Sequence, residues 1–156
     1  MRAKTPEDEA FLFNVYASTR AFEMSTTGWP PYQCQEFLQG QFNAQIRSYE
    51  ADYPKARFDV VLVDGERCGR LYVDRGADEI RILDLSMAPQ FCGQGIGTKI
   101  VEGLCQEAKE SERSLTTYVH KHDVRGIAFY TRFGFRQELE IEFSVMLAWR
   151  APRIVV

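Results

Sequence analysis

A glycine-rich turn between a strand and a helix constrains the fold of this chain more than any other feature. The run EIRILDLSM (79–87) is dense in isoleucine and leucine, which is typical of a strand inside a sheet. GIGTKIVEGLCQEAKES (95–111) carries its apolar residues on one stripe and predicts an amphipathic helix. The three glycines in QFCGQGIGTKI (90–100) allow the backbone to approach a ligand closely. The sequence therefore predicts a buried strand, a tight turn and a helix whose N-terminus can meet a ligand.

The elements around this segment set the fold class. The elements before it are a short strand at 1–3, a helix starting at Thr5-Pro6-Glu7-Asp8, a helix over 37–49, and a hairpin of strands 58–63 and 67–73 around Asp64-Gly65. The elements after it are a strand at 115–120, a helix at 124–133 and β-rich segments in 135–149. This order, (β)ααβββαβαββ, predicts an α/β (α+β) fold. We expect a single mixed, mostly antiparallel central sheet flanked by helices, forming one domain over 1–156.

Charge and composition exclude several partners. The net charge of −3 and the lack of long Lys/Arg runs make nucleic acid an unexpected partner. No stretch approaches the roughly 18 apolar residues of a membrane span. The four cysteines are widely spaced and form no C-x-x-C pair, which favours a reducing compartment, and we expect a cytoplasmic protein.

The glycine-rich turn has the geometry of an anion site. The first N–H groups of a helix lack intrahelical partners and carry the positive end of the dipole, so a pyrophosphate can bind there. A Rossmann fingerprint is disfavoured, because an antiparallel-looking hairpin precedes the glycines. A Walker P-loop is excluded by the order Gly97-Thr98-Lys99. From the glycines alone, a tight turn that merely packs a helix on a sheet stays open.

Two segments together resemble the GNAT superfamily of N-acetyltransferases. LSMAPQFCGQGIGTKIV (85–101) is similar to the family's motif of strand, proline and Arg/Gln-x-x-Gly-x-Gly/Ala, with Gly95 and Gly97 matching its glycines. AFYTRFGF (128–135) is similar to the second signature, an aromatic-Tyr pair followed by Gly-Phe. The resemblance is strong over 79–135 and weaker across the first 55 residues.

The resemblance implies acetyl-CoA as co-substrate and no metal. It implies that the backbone of Leu85, Ser86 and Met87 holds the pantetheine arm. The residues that it implies for the pyrophosphate are Cys92, Gly93, Gln94, Gly95, Ile96, Gly97 and Thr98. This sequence departs from the family's pattern at two positions. Cys92 stands where Arg or Gln begins the motif, and Asp123 stands where an Asn is frequent near the pantetheine arm.

The expected reaction moves an acetyl group to a primary amine of a small molecule or peptide by direct attack. Tyr130 matches the family's tyrosine and is the candidate acid for the leaving thiolate. Asp84, Glu79 or water alone remain candidates for taking the amine's proton. Strand alternation puts Asp84 on the face of Ile80, Ile82 and Ser86, and Glu79 on the other.

Trp29 and Tyr32, in a proline-rich loop after the first helix, are candidate substrate contacts. The acceptor's identity, and the choice between an amine and a hydroxyl, stay open, as does a homodimer. A non-catalytic domain that binds acyl-CoA or mediates assembly is the alternative function.

Overall fold

A computed structural model describes residues 1–153 of the chain. Its helices are α1 (Glu9–Thr19), α2 (Ala21–Ser25), α3 (Pro31–Asp52), α4 (Ile96–Glu110) and α5 (Val124–Thr131). Its strands are β1 (Arg2–Ala3), β2 (Arg57–Val63), β3 (Glu66–Arg75), β4 (Glu79–Met87), β5 (Ser114–His120), β6 (Arg136–Ile141) and β7 (Ser144–Trp149). Short 3-10 helices cover Pro6–Asp8 and Pro89–Phe91. None of the helices within these residues is long and apolar enough to cross a bilayer.

The strands form one mixed sheet of seven in the order β1-β2-β3-β4-β5-β7-β6. Strand β4 pairs parallel with β5, whereas β1 with β2, β5 with β7 and β6 with β7 pair antiparallel. The predicted mixed sheet flanked by helices is confirmed. Strand β4 lies in the middle of the sheet, as its apolar composition predicts, because such a strand is buried from both sides.

Residue contacts divide the chain into two compact units, each built from two chain segments. The first unit contains 1–72 and 84–96, and its core includes Leu12, Tyr16, Leu38, Phe42 and Val60. The second contains 73–83 and the chain from 97 onward, with Val101 and Leu104 of α4 and Leu115 of β5 buried. A single domain over 1–156 stays a prediction.

Local chemistry explains the β2–β3 hairpin and the helix starts. Asp64 and Gly65 both have positive φ angles, of 50° and 79°, as a two-residue hairpin turn requires. Thr5 and Asp8 form a reciprocal capping box at the first helical turn. The predicted first helix is divided in two, because Arg20 leaves helical geometry between α1 and α2.

The expected loop position of Tyr32 is wrong. Helix α3 begins at Pro31, so Tyr32 lies in the first helical turn instead of the preceding loop. A proline at the first helical position has the φ angle of a helix and needs no hydrogen-bond donor there, so Pro31 starts α3 within the proline-rich segment expected to be a loop.

Candidate active site

The predicted anion-binding turn follows β4, and two of its glycines adopt backbone angles that favour glycine. Gly93 and Gly95 have φ angles of +76° and +80°, in the left-handed region that favours glycine. A Cβ atom added at either residue would meet no atom within 4 Å, so the space over this turn is open. Helix α4 starts directly afterwards, at Ile96. The turn therefore presents exposed backbone beside a helix N-terminus, which suits a phosphate group.

The side chains of Cys92 and Gln94 in this turn contact nearby backbone oxygens. The Cys92 thiol is exposed, and its Sγ lies 3.6 Å from Ala88 O and 3.7 Å from Met87 O. Gln94 Nε2 donates to Gln90 O at 3.0 Å. Lys99, which is exposed near the start of α4, is the positively charged residue of the segment 90–100. Contacts to an anion at this turn would therefore come mainly from the backbone.

The end of β4 is held closely by β3. Ala88 N donates to Cys68 O at 2.7 Å. A Cβ atom added at Gly69 would lie 2.9 Å from Met87 Sδ and closer still to Ser86 O. Glycine at this position thus lets the two strands approach, and it fixes the backbone of the segment expected to hold pantetheine.

Asp84 lies at the centre of a polar cluster in the first unit. Arg70 Nη2 donates to Asp84 Oδ2 at 2.6 Å, and Ser86 Oγ donates to Asp84 Oδ1 at 2.6 Å. The same Arg70 nitrogen donates to Gln45 Oε1 of α3 at 2.9 Å. The predicted alternation is confirmed for Asp84 and Ser86, whose side chains meet on one face.

The cluster changes the pKa of the groups around it. Burial has the largest single effect on Arg70 and disfavours its charged form, but the interactions with Asp84, Tyr72 and Tyr49 together outweigh burial, and the pKa of Arg70 is raised. Burial, with a smaller contribution from Asp84, raises the pKa of Tyr49 above its usual range. Burial also raises the pKa of Tyr72, although Arg70 opposes this rise. Both phenols are therefore protonated at neutral pH.

Glu79 lies in the second unit and is held by its own neighbours. The Thr116 hydroxyl donates to Glu79 Oε1, and Arg81 Nη2 donates to the same oxygen at 2.8 Å. Glu79 therefore has a guanidinium and a hydroxyl as partners, just as Asp84 does.

Tyr130, also in the second unit, is 7% exposed on α5. Its ring packs edge to face on Phe129 and Phe135, at centroid distances of 5.0 and 5.1 Å. Gly97 of α4 leaves room for Phe129, whose Cζ would lie 3.6 Å from a Cβ there. The tyrosine ring is thus packed within an aromatic cluster.

Asp123 has a structural task that the sequence reasoning missed. Its Oδ1 accepts the Gly126 amide at 2.9 Å and caps the N-terminus of α5. A Cβ at Gly126 would collide with this carboxylate, so the glycine and the cap belong together. The spacing Asp-x-x-Gly at a helix start was the available signal.

The candidate acceptor contacts are aromatic and open. Trp29 is partly exposed and packs on Phe37 at a centroid distance of 5.4 Å. Tyr32 is 68% exposed, and Phe22 on α2 is 82% exposed. The exposed aromatic residues of this region thus also include Phe22 and Phe37, which were not predicted as acceptor contacts from the sequence.

Comparison with known proteins decides the family. A family model described as the acetyltransferase (GNAT) domain matches residues 54–137, which is more than half of the chain. The chain belongs to the GNAT acetyltransferase family. The match covers the hairpin, β4, the glycine-rich turn and the segment AFYTRFGF, so it confirms the resemblance seen in the sequence.

Solved structures share this GNAT fold. PaiA N-acetyltransferase from Thermoplasma acidophilum, in complex with coenzyme A, is 16% identical with a TM-score of 0.71, over 96% of this chain and 97% of that one. An acetyltransferase from Thermus thermophilus is 21% identical with a TM-score of 0.68, over 96% and 94%. A GNAT family acetyltransferase from Elizabethkingia anophelis with acetyl-CoA bound is 16% identical with a TM-score of 0.58, over 67% and 83%. At these identities the likeness shows the fold alone. A search of curated proteins gave no match.

In this GNAT protein, the first unit brings together the cofactor candidates Leu85–Met87 and Cys92–Ile96 with Asp84. Gly97, Thr98, Asp123, Glu79 and Tyr130 belong to the second unit. The sequence reasoning missed Arg70 and Gln45, although a charged residue in the apolar strand RCGRLYV was a visible signal. Among residues 1–153, no three His, Cys, Asp or Glu side chains come together as a metal site.

Proposed function

We propose that this GNAT protein transfers an acetyl group from acetyl-CoA to a primary amine by direct attack. The observation that carries the proposal is the open turn of Gly93 and Gly95 at the start of α4, which fits a pyrophosphate. The family match supports it, because acetyl transfer is the chemistry after which the family is named. Residues from Cys92 to Thr98 would hold the pyrophosphate, and the backbone of Leu85, Ser86 and Met87 the pantetheine arm.

Strand geometry favours Asp84 over Glu79 as the carboxylate that meets the acceptor amine. Glu79 and Leu85 are six residues apart on β4, which corresponds to about 20 Å at roughly 3.3 Å per residue. A thioester held beside Leu85–Met87 would therefore be out of reach of Glu79. Asp84 directly precedes this segment, and it would take the amine's proton itself or through a water molecule.

The thioester must also release a thiolate. Tyr130 would donate the proton to this thiolate, because a tyrosine phenol is protonated at neutral pH and can act as an acid. Attack by the neutral amine on the thioester carbon forms the new C–N bond. Collapse of the tetrahedral intermediate breaks the C–S bond and leaves CoA with the proton from Tyr130. Asp123 would contribute indirectly, through the cap of α5 that it forms.

The acceptor would lie beside the aromatic residues of the first unit. Trp29 and Tyr32 present exposed rings, which suit an amine that carries an apolar or aromatic body. An ammonium group next to such a ring also gains cation–π attraction. A small molecule and a peptide both remain candidate acceptors. The cytoplasmic location and a homodimer stay predictions.

An assay of acetyl transfer tests the proposal. The protein is incubated with acetyl-CoA and a panel of aliphatic amines, aromatic amines, amino acids and short peptides, while free CoA thiol is followed and products are analysed by mass spectrometry. We expect acceptor-dependent thiol release and a product acetylated on nitrogen. CoA binding without transfer to any acceptor would favour the non-catalytic alternative, and acetylation on oxygen would favour a hydroxyl acceptor.

A further inference from the structure

Arg70 is a buried, charged residue that has no role in the proposed reaction. Its side chain is 1% exposed, on β3 in the first unit. The guanidinium carbon lies 5.0 Å from the ring centroid of Tyr72, 5.6 Å from that of Tyr16 and 5.8 Å from that of Phe42. These rings hold a cation by their faces and keep water away from it.

The hydrogen bonds of Arg70 lead to Asp84. One nitrogen, Nη2, bridges Gln45 on α3 and the Asp84 carboxylate on β4. Asp84 is 14% exposed, so it lies at the boundary between this buried cluster and solvent. Ser86 binds the second carboxylate oxygen. With one oxygen held by Arg70 and the other by Ser86, the carboxylate plane is fixed.

Stability alone is a poor reason for such a pair. Removing two charges from water is costly, and well-packed apolar residues often replace a buried ion pair with no loss of stability, or with a gain. Groups of this kind are found where a reacting side chain must keep one orientation and one charge.

We propose that Arg70 is a positioning residue for Asp84. It orients the carboxylate toward the acceptor amine through the hydrogen bond from Arg70 Nη2 to Asp84 Oδ2. The proposal rests on the proposed function, because it requires Asp84 to act on the amine.

The test compares Arg70→Met and Arg70→Lys with the unmodified protein, using the amine from the panel that gives the fastest thiol release. For Arg70→Met we expect unchanged CoA affinity and a kcat/KM lower by roughly 10²-fold, the effect of a misplaced reacting group. The loss should fall on kcat and leave the KM for acetyl-CoA unchanged, because a misplaced carboxylate slows proton removal without weakening cofactor binding. Arg70→Lys keeps a charged hydrogen-bond donor and should recover part of kcat.

Arg57→Met is the matched control, because it removes a guanidinium that binds the buried carboxylate of Asp59 at 2.7 Å, away from β4. It should leave kcat and kcat/KM unchanged. If Arg70→Met does not fold, Arg70→Gln keeps a hydrogen-bond donor and removes the charge, and the same fall in kcat is expected with the KM for acetyl-CoA unchanged. A folded Arg70→Met or Arg70→Gln variant with the unmodified kcat, or one whose loss lies only in the KM for acetyl-CoA, overturns the proposal. An unmodified protein that acetylates no amine overturns the proposed function as well, so the two failures are distinct.

Discussion

Tyr130 is the residue whose role can be isolated most cleanly, because replacement by phenylalanine removes a single oxygen. The ring contacts with Phe129 and Phe135 remain, so the fold and CoA affinity should be kept. Turnover at pH 7 should fall by roughly 10²–10⁴, the usual contribution of a positioned acid. The loss should shrink as pH rises past the thiol pKa of about 8.5, because the thiolate then leaves without a proton.

The control is Tyr118→Phe, on β5, whose ring lies over the Arg81 guanidinium at 5.0 Å and keeps that contact without its hydroxyl. Steady-state turnover of this variant should match that of the unmodified protein. A Tyr130→Phe variant as active as Tyr118→Phe at pH 7 would return Tyr130 to a purely structural role.

Asp8 gives a stability prediction with a defined pH dependence. The Arg2 guanidinium, which donates to both carboxylate oxygens at 2.7 and 2.9 Å, holds the pKa of Asp8 well below its usual range. The stabilisation is therefore complete above the unfolded pKa of about 3.9 and is lost as pH falls toward the folded pKa. Asp8→Asn should lower the free energy of unfolding at pH 7 by about 2 kcal/mol.

Urea unfolding at pH 7 and at about pH 2.5 checks this prediction, because the difference between Asp8→Asn and the unmodified protein should shrink at the lower pH. Glu36→Gln, which changes an exposed carboxylate on α3, serves as control and should have little effect at either pH. An Asp8→Asn difference that is the same at both values would contradict the assigned cause.

Among the elements, β4 depends on how closely β3 approaches it. Gly69→Ala would force Ser86 and Met87 away from β3, since the added Cβ has no room. We expect a loss of about 1–3 kcal/mol in the free energy of unfolding. Calorimetry should also show weaker CoA binding, because the backbone of Leu85–Met87 moves.

Gly40→Ala is the matched change on α3, where a Cβ meets no atom within 4 Å. It should be neutral or stabilising, by up to about 1 kcal/mol, because alanine is the better helix former. If Gly69→Ala binds CoA as tightly as Gly40→Ala does, the end of β4 does not hold the cofactor in the way proposed.

The elements that the sequence predicted best are those with a strong local signal. Strand β4 was predicted with its observed bounds, and the turn at Asp64-Gly65 was predicted from its residue types. The break at Arg20 was missed, because no glycine or proline marks it. The start of α3 was missed because Pro31 can end one helix or begin the next, and only packing decides between them.

At the scale of the whole molecule, sequence patterns identified the family but not the Arg70–Asp84 pair. A motif joins residues that are close along the chain, such as Gly93 and Gly95. Gln45, Arg70 and Asp84 meet across α3, β3 and β4, and their pairing depends on strand order and helix packing, which a single sequence does not display. The candidate acids could therefore be named in advance, whereas the group that orients one of them could not.

Calorimetric titration with CoA tests the central claim most directly, namely that the turn at 93–98 holds the pyrophosphate. Gly95→Glu and Gly95→Gln impose the same backbone strain at a φ of +80°, and they differ only in charge. We predict CoA binding by the unmodified protein and by Gly95→Gln, and at least about fivefold weaker binding by Gly95→Glu, since like charges at close range cost about 1 kcal/mol or more. No binding of CoA to the unmodified protein at about 1 mM ligand, or equal affinity of the two variants, would contradict the claim.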